Sequence, residues 1–114
     1  MTNTTLRQWD IVKVRINSED KDEHHAVIIS PKEYSESDKA HRLNVLYCTS
    51  KRPAIPAQED EVLLNGADGL DRLTLVCCSF MYVIPRARIS SITGRVALAR
   101  QQAIRRKITA AFRL

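Results

Sequence analysis

Three cysteines (Cys48, Cys77 and Cys78) and two adjacent histidines (His24 and His25) are the side chains of this 114-residue chain best suited to bind a metal or attack an electrophile. An odd number of thiols, two of them adjacent, is no disulfide framework. On a strand, Cys77 and Cys78 point to opposite faces, so both cannot meet Cys48, and a three-thiolate metal site is not expected. Small apolar side chains in a reduced protein are the plainer reading. The tandem histidines stand beside Asp20, Asp22 and Glu23, a composition a metal could use. Adjacent strand residues diverge there too, so neither a metal nor another cofactor is expected. A histidine still offers a base or an acid near neutral pH; the alternative is polar residues at a loop–strand junction.

Charge supplies the second lead. Residues 1–71 hold 9 basic and 13 acidic side chains, whereas residues 72–114 hold 9 basic and none acidic. An acid-free, basic stretch is a candidate surface for polyanions. The alternative is a basic helix that stays solvated or docks on acids elsewhere in the fold. No apolar run approaches the roughly 20 residues of a membrane helix, and the N-terminus lacks a signal-peptide stretch, so a cytoplasmic protein without a membrane partner is expected.

These groups need elements to position them. Residues 1–6 read as a polar, frayed start. Trp9–Ile16 alternates with period two: Val12, Val14 and Ile16 share one face, Ile11, Lys13 and Arg15 the other. Residues 17–24 form an acidic loop. Ala26–Ile29 is a buried strand ended by Ser30-Pro31, and residues 32–42 hold a short helical turn or a loop. Leu43–Thr49 is a strand, 50–60 a loop with two prolines, and Glu61–Leu64 a short strand. Asn65-Gly66 and Asp68-Gly69 are turn dipeptides. Leu73–Ile84 is one long strand, or two with a bend near Ser79, and Pro85 ends it. Ile89–Val96 is a strand or hairpin piece. Ala97–Phe112 is a helix whose buried stripe is Ile104, Ile108, Ala111 and Phe112, with Arg100, Arg106, Lys107 and Arg113 facing away. Short strands, frequent turns and one terminal helix predict a single, mainly β domain over residues 1–114, a compact barrel or sandwich.

Read in order, these segments resemble the MazF/PemK toxins of type II toxin–antitoxin systems. Trp9-Asp10-Ile11-Val12 stands where that family usually has Gly-Asp and apolar residues. His25-Ala26-Val27-Ile28-Ile29-Ser30-Pro31 is similar to its strand ending in Ser-Pro, and Leu46-Tyr47-Cys48-Thr49-Ser50 to its strand ending in Thr-Thr or Thr-Ser. Val62-Leu63-Leu64 with the turn at Asn65-Gly66, the long strand from Leu73, and Gly94-Arg95-Val96 before the helix complete the match. The resemblance implies an SH3-like antiparallel β-barrel of the MazF/PemK/CcdB type with a C-terminal helix. It also implies a homodimer, single-stranded RNA along the dimer groove, and a cognate antitoxin with an acidic disordered tail. The implied chemistry needs no metal: a ribose 2′-hydroxyl attacks the adjacent phosphate, leaving a cyclic phosphate and a free 5′-hydroxyl.

The resemblance assigns catalytic roles to His24, Thr49, Ser50 and Glu19. Thr49 and Ser50 stand at the strand-end hydroxyls, which can donate to phosphate. His24 falls where many members carry Arg, exchanging five fixed donors for a titratable ring. Glu19 lies near the place where some members hold a carboxylate. On the long strand, Val76, Cys77 and Cys78 replace an Arg and an Asp that flank a Cys in some members. Lys51 and Arg52 follow Thr49-Ser50 and suit phosphate contacts; Arg86 and Arg88 lie on one face beyond the long strand. Tyr47, Phe80 and Tyr82 could stack bases, or serve as core or dimer contacts. Three readings follow: a metal-independent endoribonuclease toxin, a catalytically weakened module that binds nucleic acid or antitoxin, and a gyrase-directed CcdB-like toxin.

Overall fold

The structure, a computed structural model, describes residues 5–15, 17, 19 and 21–114. The expectations placed on residues 1–4, Ile16, Ser18 and Asp20 lie outside that set.

Seven strands run in the order β1 (Asp10–Val14), β2 (His24–Ile28), β3 (Arg42–Ser50), β4 (Glu61–Leu64), β5 (Thr74–Cys77), β6 (Tyr82–Pro85) and β7 (Ile89–Arg95). A short helix, α1 (Lys32–Ser35), follows Pro31, and the chain closes with α2 (Leu98–Phe112). All pairings are antiparallel, in the sheet order β4-β5-β3-β2-β1-β7, with β6 also on β3. The stretch expected as one long strand or two is therefore two, parted at Cys78–Met81.

The nine-residue β3 is the spine. Val45 pairs with Ile28 of β2 on one edge and Tyr82 of β6 on the other. Further along, Cys48, Thr49 and Ser50 pair with Val76, Leu75 and Thr74 of β5. The β2–β3 ladder covers only Val45–Tyr47 against Ala26–Ile28. No β2–β3 pair continues the ladder to His24-His25 and Cys48–Ser50.

Apolar residues on both faces of the central strands build two cores. One gathers Ile11, Val27, Leu46, Cys48, Val76 and Cys78 beneath α2, which contributes Ile104. The other gathers Val12, Val14, Ala26, Ile28, Leu43 and Val45. Each fully buried Leu or Ile contributes about 1.5–3 kcal/mol. Leu6, expected in a frayed start, is buried in the second core.

The helix stripe is shorter than its spacing predicted. Ile104 is buried and Ile108 half-buried, but Ala111 is exposed and Phe112 is 46% exposed, since α2 extends past the sheet. Arg100 does not face away: its Nε lies 3.0 Å from Oδ2 of the buried Asp68. Asp68 also accepts from the backbone N–H of Asn65 (2.9 Å) and of Ala97 (2.8 Å), joining the 3₁₀ turn Gly66–Asp68 to the start of α2. Gly94 makes this joint possible, because a Cβ there would lie 2.2 Å from the Asp68 carbonyl oxygen.

Trp9 has φ +76, a conformation glycine adopts freely and other residues at a cost of about 1–3 kcal/mol. Its side chain is buried, and the Arg105 guanidinium sits 5.5 Å from its ring, so packing offsets the strain. Among the described residues, no helix is long and apolar enough to cross a membrane.

Candidate functional site

The parting of β2 from β3 decides what the strand ends can present. Cross-strand partners share a face and neighbours alternate. His24, paired with Val14, shares the face of Ala26 and the second core. Thr49 shares the face of Tyr47, which packs on that same core. The β2–β3 pairing stops at Ala26–Tyr47, so His24 and Thr49 share a face but are not a cross-strand pair. Thr49 is exposed and His24 half-buried. Ser50, also exposed, lies on the opposite face, that of Cys48. His24 and Thr49 thus share one face of the sheet, and Ser50 faces the other. Glu19 is exposed in the first loop, where its backbone N–H donates to Asn17 Oδ1 at 2.9 Å.

His25 faces the other way, opposite Lys13. Burial depresses its pKa below the ordinary 6.5; Lys13 lowers it further and Asp71 opposes both. The imidazole is therefore held neutral, with an acid close enough to be felt. Tyr47 and Tyr82 rest with ring centroids 4.5 Å apart and planes tilted by 42°, beside Thr49 on the same face. Burial raises the Tyr47 phenol, and the neighbouring Tyr82 adds to it.

Three of the four cations expected on phosphate already serve the fold. Lys51 Nζ donates to the carbonyls of Arg52 (2.7 Å) and Ile55, closing its own loop. The Arg52 guanidinium pairs with Glu61 at 2.7 Å. Arg86 is a strut: Nε donates to the Ala40 carbonyl at 2.8 Å, and Nη2 lies 3.0 Å from each of the carbonyls of Tyr34, Ser35 and Ser37. Arg88 is half-buried in the 3₁₀ turn Arg86–Arg88. The basic C-terminal third is likewise partly spent, on Asp10 by Arg95 (3.2 Å) and on Asp68 by Arg100.

The thiols divide as alternation requires. Cys48 and Cys78 share the first core, while Cys77 turns toward Asp60, 3.8 Å away. Burial pushes the Cys48 thiol far up, and burial with Cys77 raises Cys78 to about 12. Neither is a thiolate at neutral pH, which removes both as nucleophiles.

Among the described residues, two concavities bear on the site. A groove of about 770 Å³ runs between α2 and residues 58–60, lined by Asp60, Ser79, Arg106 and Lys107 among others, and touches none of the residues singled out above as catalytic. A smaller one of about 580 Å³ opens at the tip of β3, lined by Ser50, Pro53, Ala54, Arg72 and Leu73 together with the chain at Lys51-Arg52. Arg72 and Asp71 drew no attention in the sequence. Antiparallel pairing of the end of β3 with the start of β5 is what brings them to Ser50, a signal readable only once that register is known.

The fold and this tip define an antiparallel β protein with a C-terminal helix and exposed hydroxyls at the end of β3. The chain belongs to the PemK-like, MazF-like toxin family of type II toxin–antitoxin systems, whose sequence model matches residues 7–112. The architecture is that of MazF toxins. It is similar to the Mycobacterium tuberculosis toxin MazF-mt6, with a TM-score of 0.75 at 17% identity over 92% of this chain and 97% of that one. It is similar to an endoribonuclease in complex with its cognate antitoxin from a mycobacterial species (TM-score 0.75, 15% identity, 97% of both chains). It also matches the MazE–MazF structure from Deinococcus radiodurans (TM-score 0.74, 15% identity, 97% of this chain and 98% of that one). No curated protein matches by sequence.

Proposed function

We propose that this protein is a metal-independent endoribonuclease toxin that cuts single-stranded RNA and is restrained by a cognate antitoxin. The observation that carries this reading is the family match over residues 7–112, with His24 and Thr49 both on the face of the second core as support. In the proposed reaction the ribose 2′-oxygen attacks the adjacent phosphorus and loses its proton. The 5′-oxygen leaves with a proton, and a 2′,3′-cyclic phosphate remains. His24 serves as proton acceptor or donor, a role worth about 10²–10⁴-fold. The Thr49 hydroxyl donates to a phosphate oxygen as charge develops there. Tyr47 and Tyr82 offer rings to a neighbouring base. Ser50 contacts the strand from the far side of the β3 tip, and Glu19, in an exposed loop, has least support. A second copy of the chain and an antitoxin with an acidic tail complete the proposed assembly. Family membership supports both, as does the exposed apolar surface of Phe80, Tyr82 and Val83.

Purified protein should cut single-stranded RNA in EDTA, and His24→Ala should lower the rate by about 10²–10⁴-fold with an unchanged melting temperature. Loss of cutting in the clean wild-type protein would sink the reading. A binding module with little chemistry is the second reading. It is favoured by the internal engagement of Lys51, Arg52 and Arg86 and by the apolar burial of Cys78 where some members carry an acid. Retention of RNA without cleavage, weakening steeply with salt, would select it.

A further inference from the structure

The cations expected beside the strand-end hydroxyls are committed, yet one that was not expected is free. Arg72 is exposed and makes no ion pair among the described residues. Its backbone is fixed on two sides: Lys51 N–H donates to the Leu73 carbonyl at 3.0 Å, and Thr74 Oγ1 donates to the Arg72 carbonyl at 3.1 Å. The side chain therefore leaves a rigid platform beside Ser50, over the 580 Å³ groove. That groove pairs a cation and a hydroxyl with apolar surface, from Pro53, Ala54 and a Leu73 that is 50% exposed. A volume of this size suits a small ligand or one unit of a chain.

Resting on the ribonuclease reading above, we propose that Arg72 and Ser50 hold a backbone phosphate of the RNA next to the scissile one, with the adjoining ribose or base against Leu73 and Pro53. Strand geometry motivates the spacing. Consecutive residues Thr49 and Ser50 point to opposite faces. An RNA crossing the tip of β3 meets Thr49 on one side and the Ser50–Arg72 groove on the other. Arg72 then supplies, from the start of β5, the fixed-fork cation that His24 does not provide at the start of β2. Lys51, held by neutral carbonyls, shapes the groove wall and adds positive field, whereas the charge of Arg52 is offset by Glu61.

The test uses full-length protein and a 2′-O-methylated single-stranded RNA, which cannot be cut, titrated across a salt series. Arg72→Ala should weaken binding by about tenfold or more and lower the salt slope by about 0.7, the loss of one phosphate contact on a single strand. Ser50→Ala should cost a few-fold, and Arg72→Lys should keep the slope while losing part of the affinity. Arg42→Ala removes an exposed cation at the opposite end of β3 and should leave the slope unchanged. An unchanged Arg72→Ala, or equal losses for Arg72→Ala and Arg42→Ala, overturns this inference while leaving the ribonuclease reading intact. If wild-type protein neither binds the methylated strand nor cuts unmodified RNA, the parent reading fails and this one falls with it. Superimposable thermal melts of the variants separate each outcome from misfolding.

Discussion

The turn Asn65–Asp68 and the tip of β3 use polar residues in opposite ways, although Leu64, Thr74 and Ser50 share one cross-strand row. At the turn, Asp68, Arg100, Asn65 and the start of α2 form a closed network. Asp68 is 1% exposed, and each of its oxygens accepts at least one short contact. At the tip, Thr49 and Ser50 are exposed hydroxyls beyond the last β2–β3 pair. A charge count treats both regions alike. The difference is whether a carboxylate or a carbonyl lies within reach, and it teaches that a basic sequence is a binding surface only where its own fold has not neutralised it.

The largest expected effect lies in the closed network. Asp68→Ala removes the partner of Arg100 and of two backbone N–H groups. It should cost about 3 kcal/mol, the lower part of the range for a buried pair because Arg100 keeps some contact with solvent. A urea denaturation midpoint measures this, and an unchanged midpoint would erase the contrast between the two regions. At the tip of β3 the effect should appear in rate instead. Thr49→Val keeps the shape and loses the hydroxyl, so cleavage should fall by about 10²-fold. Stability should change by no more than about 0.5 kcal/mol, as for an exposed site. A variant that unfolds readily would place Thr49 in the frame, not in the site.

The smallest effect concerns His25, between the two regimes. Burial, then Lys13, hold its pKa below 6.5, against the pull of Asp71. As pH falls, the unfolded chain therefore binds the proton first. The stability that the neutral ring contributes is complete above pH 6.5 and is lost as pH drops through the lowered folded value. His25→Gln should flatten that acid limb, which denaturation midpoints at about pH 5 and about pH 7.5 would compare. An acid limb as steep as in wild type would mean that other groups set it.

Much of the frame was legible because side-chain alternation is local. The strand Glu61–Leu64, the end of β6 at Pro85 and the helix from position 97 or 98 follow from periodicity and from the backbone demands of proline, while the bend near Ser79 was one of two alternatives that the structure decided. The opposed Cys77 and Cys78 follow from the same rule. The site was less legible. Arg86 looked like a surface cation because its four carbonyl partners lie about fifty residues away in the chain. Leu6 looked frayed because its core is built from β1, β2, β3, β6 and β7. The family likeness pointed to His24, Thr49 and Ser50 as one group, and β3 divides them between its two faces.

Sequence alone determined most strand segments and the terminal helix, since each rests on neighbours within a few residues, and the order of those segments carried the toxin-family likeness. The tertiary structure decided which cations are spent, where β2 leaves β3, and that Arg72 stands beside Ser50. Those facts depend on which strand ends meet, and antiparallel pairing sets that between residues more than twenty positions apart.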